Sequence, residues 1–193
     1  MSYKKVDVLD WPDTSIIGEV FHEIRKVSSL DIEFPFSVQL LENPKYSVLG
    51  RNLLIFPGAV DGTLHDYIHI LLGRSFLPLD EAVVVGCCMG STGKMSKIQT
   101  DLFTFLASTI YPTFYRFTSS EKKLFEWAVS LGSTYCKCDL SKIEKSKLAK
   151  MTISEARDYC LSDWQQVLKF YKAEARRFPD EISSARLLNY IQS

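Results

Sequence analysis

A chain of 193 residues with 46% apolar and 12% aromatic side chains is long enough to bury a substantial core and too hydrophobic to remain disordered. Its 23 basic residues are matched by 23 acidic ones. That balance removes the electrostatic footprint of a nucleic-acid partner and of a polybasic membrane anchor, though not of a local apolar docking face.

No run reaches the ~18 continuous apolar residues of a membrane-spanning helix. The opening segment MSYKKVDVLDWPDTS has no apolar core of the signal-peptide kind, and Asp7, Asp10, Asp13 and Glu19 are out of place in a mitochondrial presequence. The expectation is a cytoplasmic protein that starts at its natural first residue. With no internal repeat or low-complexity linker, the whole chain, 1–193, reads as a single domain.

In chain order, residues 14–27 place Ile16, Ile17, Val20, Phe21, Ile24 and Val27 on one stripe at helical spacing, with Asp13 or Thr14 as the cap. Residues 36–56 fit either two short helices or a strand. After Pro57-Gly58 a helix from Leu64 to Leu72 is expected, opened by a Thr63-x-x-Asp66 capping box and closed by Gly73. Pro78, followed by Asp80 and Glu81, starts the next helix, which runs to Met89. Ile98, Leu102, Phe105, Leu106, Thr109 and Ile110 mark the face of a further helix that stops before Pro112. The segment SSEKKLFEWAVSLG gives a short helix ending at Gly132. One long helix is expected from the Thr152–Glu155 capping box through Ile153, Ala156, Cys160, Trp164, Val167, Leu168 and Tyr171, until Pro179 breaks it. A last helix covers Asp180 to Tyr190. Strand-like alternation is scarce, so the class is all-α, an array or bundle of about seven to eight helices.

The five cysteines include an adjacent pair, Cys87-Cys88, and a pair one residue apart, Cys136 and Cys138. Neither has the CxxC spacing of a zinc knuckle or redox centre, and they read as small buried hydrophobes in a reducing compartment. The stretch MGSTGKM is not a phosphate-binding loop, because Cys88 and Met95 stand where that loop wants glycine and a hydroxyl residue.

Two of the three histidines, His65 and His69, lie four apart on the helix from Leu64, about 40° from one another around its axis. Asp66 falls within the same arc, about 100° wide. Glu81, in the first turn after the Gly73–Leu77 connection, can face back toward them. Four groups drawn from two helices (His65, Asp66, His69 and Glu81) suit a divalent ion: Zn²⁺ foremost, with Mn²⁺, Fe²⁺ and Mg²⁺ as alternatives. The partial positive charge of the helix start disfavours protonated imidazole and keeps His65 neutral, as a ligand must be. The plainer explanations are that Asp66 only caps its helix, Glu81 only answers the helix dipole, and His69 is a core-edge residue.

His65-Asp66-Tyr67-Ile68-His69, then eleven residues, then Glu81 reproduces the HDxxH-x11-E signature of the coenzyme Q (ubiquinone) biosynthesis family, and the chain resembles a distant member of it. Ile70-Leu71-Leu72-Gly73, the LGRNLL segment at 49–54 and the Trp-containing DYCLSDWQQVLKFYK are similar to family segments, so the likeness spans residues 45 to 172. It departs in having 13 residues between Arg51 and His65, where the family has a longer interval, and in AVVVGCCMGSTGKM after Glu81.

The resemblance implies a zinc-binding all-helical protein with a cavity for a prenyl tail. It would bind or process a polyprenylated quinone precursor, by oxidative decarboxylation of the ring or as a scaffold for other biosynthetic enzymes. Peripheral contact with the inner membrane is compatible with that role. Arg74, just past the helix stop, and Lys94, in the glycine-rich loop, are then the expected contacts for an anionic head group. Phe103, Phe105, Tyr111, Phe114, Tyr115 and Phe117 either line a tail pocket or form core. Two other functions compete: an HD-type phosphohydrolase using His22, His65, Asp66 and Asp101 around its metal, and a non-catalytic lipid-binding module. The sequence carries no signature of a particular oligomeric state.

Overall fold

The computed structural model describes residues 8–28, 56–113 and 115–192. Among them are nine α-helices and no strand: α1 (Ile17–Ser28), α2 (Gly62–Leu72), α3 (Pro78–Ser91), α4 (Lys97–Thr109), α5 (Ser119–Tyr135), α6 (Lys145–Leu148), α7 (Ile153–Cys160), α8 (Trp164–Arg177) and α9 (Ile182–Gln192). Two single-turn 3₁₀ segments, Val8–Asp10 and Leu140–Lys142, accompany them. The all-α array expected from the sequence is therefore present. The ambiguous segment 36–56 falls outside the described residues except for Phe56.

The helices α3 and α5 form the centre, and small residues let them approach closely. A Cβ at Gly86 would meet the Ala128 side chain, one at Gly90 would lie 2.1 Å from the Val129 carbonyl oxygen, and one at Gly132 would lie 2.4 Å from that of Cys87. Gly132 is therefore a contact residue inside α5 and not its terminator; the helix continues a turn to Tyr135. For the same reason α3 runs through both of its glycines to Ser91, past the predicted end at Met89.

Around this pair the core has two parts. One gathers Ile17, Val20, Ile68, Leu71, Val83, Val84, Leu124, Ala128, Val167 and Tyr171 from five helices. The other is aromatic: Phe103 stacks on Phe125 at 4.7 Å and meets Phe56, Tyr111 and Phe117 edge-on. Phe103, Tyr111 and Phe117 are thus core, while Phe105 is exposed and Phe114 lies outside the described residues.

This aromatic cluster also overturns the predicted face of α4. The helix carries two apolar stripes, and the one holding Phe103 and Ala107 is buried, with Thr100 and Thr104 alongside. Both threonines satisfy their hydroxyls within the helix, on the Ser96 and Asp101 carbonyls, and so tolerate burial. Ile98, Leu102, Phe105 and Ile110 are left exposed.

Two other boundaries differ from expectation. The first turn of α1 is capped neither by Asp13 nor by Thr14: the Ile17 and Gly18 amides donate to the carbonyls of Met151 and Ala149. The expected long helix from 152 is split into α7 and α8. Asp163 accepts from the Gln165 and Gln166 amides, and an N-cap of this kind opens a new helix. Leu161 pairs with Cys136 in a single antiparallel bridge. No helix among the described residues is long and apolar enough to cross a membrane.

Candidate metal centre

The helix α2 is set in place at both ends. Its N-cap is Asp61, whose Oδ1 accepts from the Thr63 and Leu64 amides, so the Thr63–Asp66 capping box is not formed. At the other end Gly73 adopts φ 64°, and the Gly73 and Arg74 amides return to the Ile70 and His69 carbonyls, the left-handed stop expected from the sequence. The last carbonyls of α2 are taken by side chains from distant helices. Arg157 Nε donates to Leu71 O at 3.0 Å, and the Tyr171 hydroxyl donates to Leu72 O at 2.5 Å.

Residues Gly73 to Leu77 then turn the chain so that Glu81, in the first turn of α3, faces α2. Glu81 Oε2 lies 3.0 Å from His65 Nε2 and 3.4 Å from His69 Nε2. The two imidazole centroids are 4.7 Å apart. One ligand atom from each of the three residues falls within 4.8 Å of the others. For metal–ligand bonds of about 2.0 Å at the tetrahedral angle, donors stand about 3.3 Å apart, so the Glu81 contacts match the edges of such a polyhedron.

The protonation pattern sharpens the point. His69 Nδ1 donates to the Ser75 carbonyl at 2.7 Å, with the Arg74 carbonyl also close at 3.3 Å. In the neutral ring this leaves the Nε2 lone pair pointing at a carboxylate. His69 is completely buried, and its Nε2 has no hydrogen-bond partner. An imidazole lone pair and a carboxylate oxygen at 3.4 Å repel unless a cation or a proton sits between them. When the rings carry protons, burial pushes the Glu81 carboxyl up, but the charges and hydrogen bonds of His69 and His65 outweigh it and hold the group far below the usual carboxylate range. Protons and a metal cation are thus alternative partners for the same three groups. Phe76 stacks on the His69 ring at 4.6 Å and seals that side.

Asp66 does not join the cluster. Its Oδ2 is 2.5 Å from Arg25 Nη2 on α1, because Asp61 has taken over the capping role and position 66 looks toward α1, where Tyr67 also packs on Phe21. Arg74 is no head-group contact either. It is fully buried, bidentate on Glu174 at 2.9 and 2.8 Å, with Nε 2.9 Å from Asp80 and the guanidinium over the Tyr171 ring. Lys94 is exposed beyond the far end of α3. Ten residues of helical rise, about 15 Å, separate Glu81 from Ser91, and Lys94 lies three residues further on. His22 is exposed on α1, and Asp101 is exposed on α4 beside Lys97, so neither reaches the two histidines.

Ser75 and Phe76, which hold the His69 ring, carry no signal in the sequence. Burial and the Glu81 charge together push the Tyr115 phenol up. A water-sized cavity opens beside His65, lined by Gly58, Ala59, Val60, Val85, Cys88 and Met89. No family model matches the chain, and no curated protein or solved structure matches it.

Proposed function

We propose that this chain is a divalent-metal-binding helical protein that binds a prenylated quinone-like precursor and takes part in its processing, ring decarboxylation being the reaction suggested by the resemblance. The metal rests on one observation: two imidazole nitrogens and a carboxylate oxygen converge, and the buried His69 nitrogen has no donor facing it. His65, His69 and Glu81 would hold the ion, and two nitrogens with one oxygen suit zinc. Bound there, zinc supplies a Lewis acid with a coordination position open to water or a substrate oxygen. The chain's own contribution is to fix the ligands. The Ser75 carbonyl sets the His69 tautomer, Phe76 holds its ring, and the turn from Gly73 to Leu77 brings the Glu81 carboxylate to both imidazoles.

The prenylated precursor is supported by the HDYIH-x11-E pattern and its flanking segments. The small size of the cavity beside His65 favours a second reading, in which the ion is structural and the protein is a lipid-binding or assembly module serving other biosynthetic enzymes. Metal analysis of the purified protein, paired with extraction of bound lipid, tests both. The first reading expects one ion per chain, none in the His65→Ala/His69→Ala variant, and loss of the bound precursor together with the metal. Retention of lipid and partners by that variant supports the second. A wild-type chain that takes up no zinc when incubated with it refutes both.

A further inference from the structure

The connection between α2 and α3 carries a cluster of buried charges whose backbone also meets the metal ligands. Arg74 is fully buried. Its Nη1 and Nη2 donate to the Glu174 carboxylate at 2.9 and 2.8 Å, and its Nε lies 2.9 Å from Asp80 Oδ1. From α9, the Ser184 hydroxyl donates to Glu174 at 3.1 Å and Arg186 donates to Asp80 at 2.6 Å. The Arg74 guanidinium also lies over the Tyr171 ring, 4.9 Å from its centroid. Ionised groups at this depth often stabilise a fold no better than apolar side chains of the same volume; what they add here is a fixed arrangement.

That arrangement reaches the metal ligands through the backbone. The Ser75 and Arg74 carbonyls stand 2.7 and 3.3 Å from His69 Nδ1, and the Arg74 amide donates to the His69 carbonyl at 2.9 Å. Asp80 directly precedes Glu81, and its Oδ2 accepts from the Leu77 amide at 3.3 Å, closing the first turn of α3. The Arg74–Asp80 contact therefore spans the turn between the helix that carries both histidines and the helix that carries Glu81.

We propose, resting on the zinc reading of the centre, that Arg74 is its positioning residue: clamped between Glu174 and Asp80, it fixes the carbonyls that orient His69 and the turn that presents Glu81. Helices α8 and α9 thereby share in the metal centre, since Glu174 acts on Arg74 and Arg186 on Asp80 from 100 and 106 residues further along the chain. Groups that orient a ligand imidazole from behind change metal affinity by about ten- to a hundred-fold.

Zinc affinity and stability, measured on the same full-chain variants, separate positioning from a merely structural role. Arg74→Met should lower zinc affinity at least about ten-fold in a competitive chelator titration. Adding Glu174→Gln removes the stranded charge and should return part of the lost stability in urea. It restores no clamp, so zinc affinity should stay about ten-fold down, and the d–d absorption of the cobalt-loaded double variant should differ from wild type. In the metal-free chain, long-range ¹H–¹⁵N correlation should show His69 as the single Nδ1–H tautomer in wild type and as a mixture in the double variant. Phe103→Leu, which removes a ring stacked on Phe125, should lose stability while keeping zinc affinity within about two-fold of wild type. If Arg74→Met does not fold, the double variant decides alone. A double variant with wild-type zinc affinity and cobalt spectrum, affinity that recovers in step with stability, or an equal loss of affinity in Phe103→Leu would overturn the positioning role while leaving the zinc reading intact. A wild-type chain that takes up no zinc overturns both.

Discussion

Replacing Arg74 by methionine separates a structural role from a substrate-binding one. Arg74 sits at zero exposure between two acids that are themselves fully buried, Glu174 and Asp80. Removing the guanidinium leaves Glu174 with only the Ser184 hydroxyl at 3.1 Å, whereas Asp80 keeps Arg186 at 2.6 Å. One carboxylate is thereby orphaned in the core. Breaking a buried pair in this way costs about 3–5 kcal/mol, a large share of the ~5–15 kcal/mol that holds a domain folded. The penalty lies mainly in the stranded charge, so adding Glu174→Gln, which keeps the shape and removes the charge, should restore about 1–2 kcal/mol of it. Urea unfolding followed by circular dichroism measures both variants. An Arg74→Met protein within about 1 kcal/mol of wild type, or a double variant whose loss is the sum of the two singles, would refute this reasoning.

Other expectations follow from the same geometry. Asp61→Ala should lower stability by about 1 kcal/mol by removing the α2 cap. Burial raises the Asp61 carboxyl, but Lys145 and the Leu64 and Thr63 amides outweigh it and leave it below its ordinary value. The sign follows: its stabilisation is present above about pH 4 and fades as pH falls through the depressed folded value, so wild type and Asp61→Ala should converge in acid unfolding scans. Gly90→Ala drives a methyl into the Val129 carbonyl and should destabilise by about 3 kcal/mol or more in chemical denaturation, because backbone cannot yield as a side-chain tip can. Asp66→Asn should leave zinc affinity within a few-fold of wild type while Glu81→Gln lowers it at least about ten-fold in a competitive chelator titration. Zinc affinity should also weaken on acidification, because protons compete with the ion for its ligands.

The centre of the site was legible in the sequence because it depends on local arithmetic. Four residues of helical spacing align His65 with His69, and a glycine stop followed by an N1 proline turns Glu81 back toward them. Asp66 misled because one residue can serve as cap, ligand or ion-pair partner, and the choice depended on Asp61 and on Arg25 arriving from another helix. Arg74 was opaque for a similar reason. Its acids are contributed by positions 6 and 100 residues onward, and nothing local distinguishes a buried guanidinium from an exposed one. The α4 face was misread because two apolar stripes compete on one helix, and only the position of Phe125 and Phe117 decides which is buried. The break between α7 and α8 was visible in principle, since Ser162-Asp163 before Trp164 is an N-cap signal set inside a continuous apolar stripe.

Zinc titration of the metal-free chain, followed by X-ray absorption at the zinc edge, is the most direct probe of the His65–His69–Glu81 centre. One zinc per chain, held by two imidazole nitrogens at about 2.0–2.1 Å and a carboxylate oxygen at about 2.0–2.2 Å, is the predicted result. No saturable binding, or a sphere containing cysteine sulfur at about 2.3 Å, would contradict it.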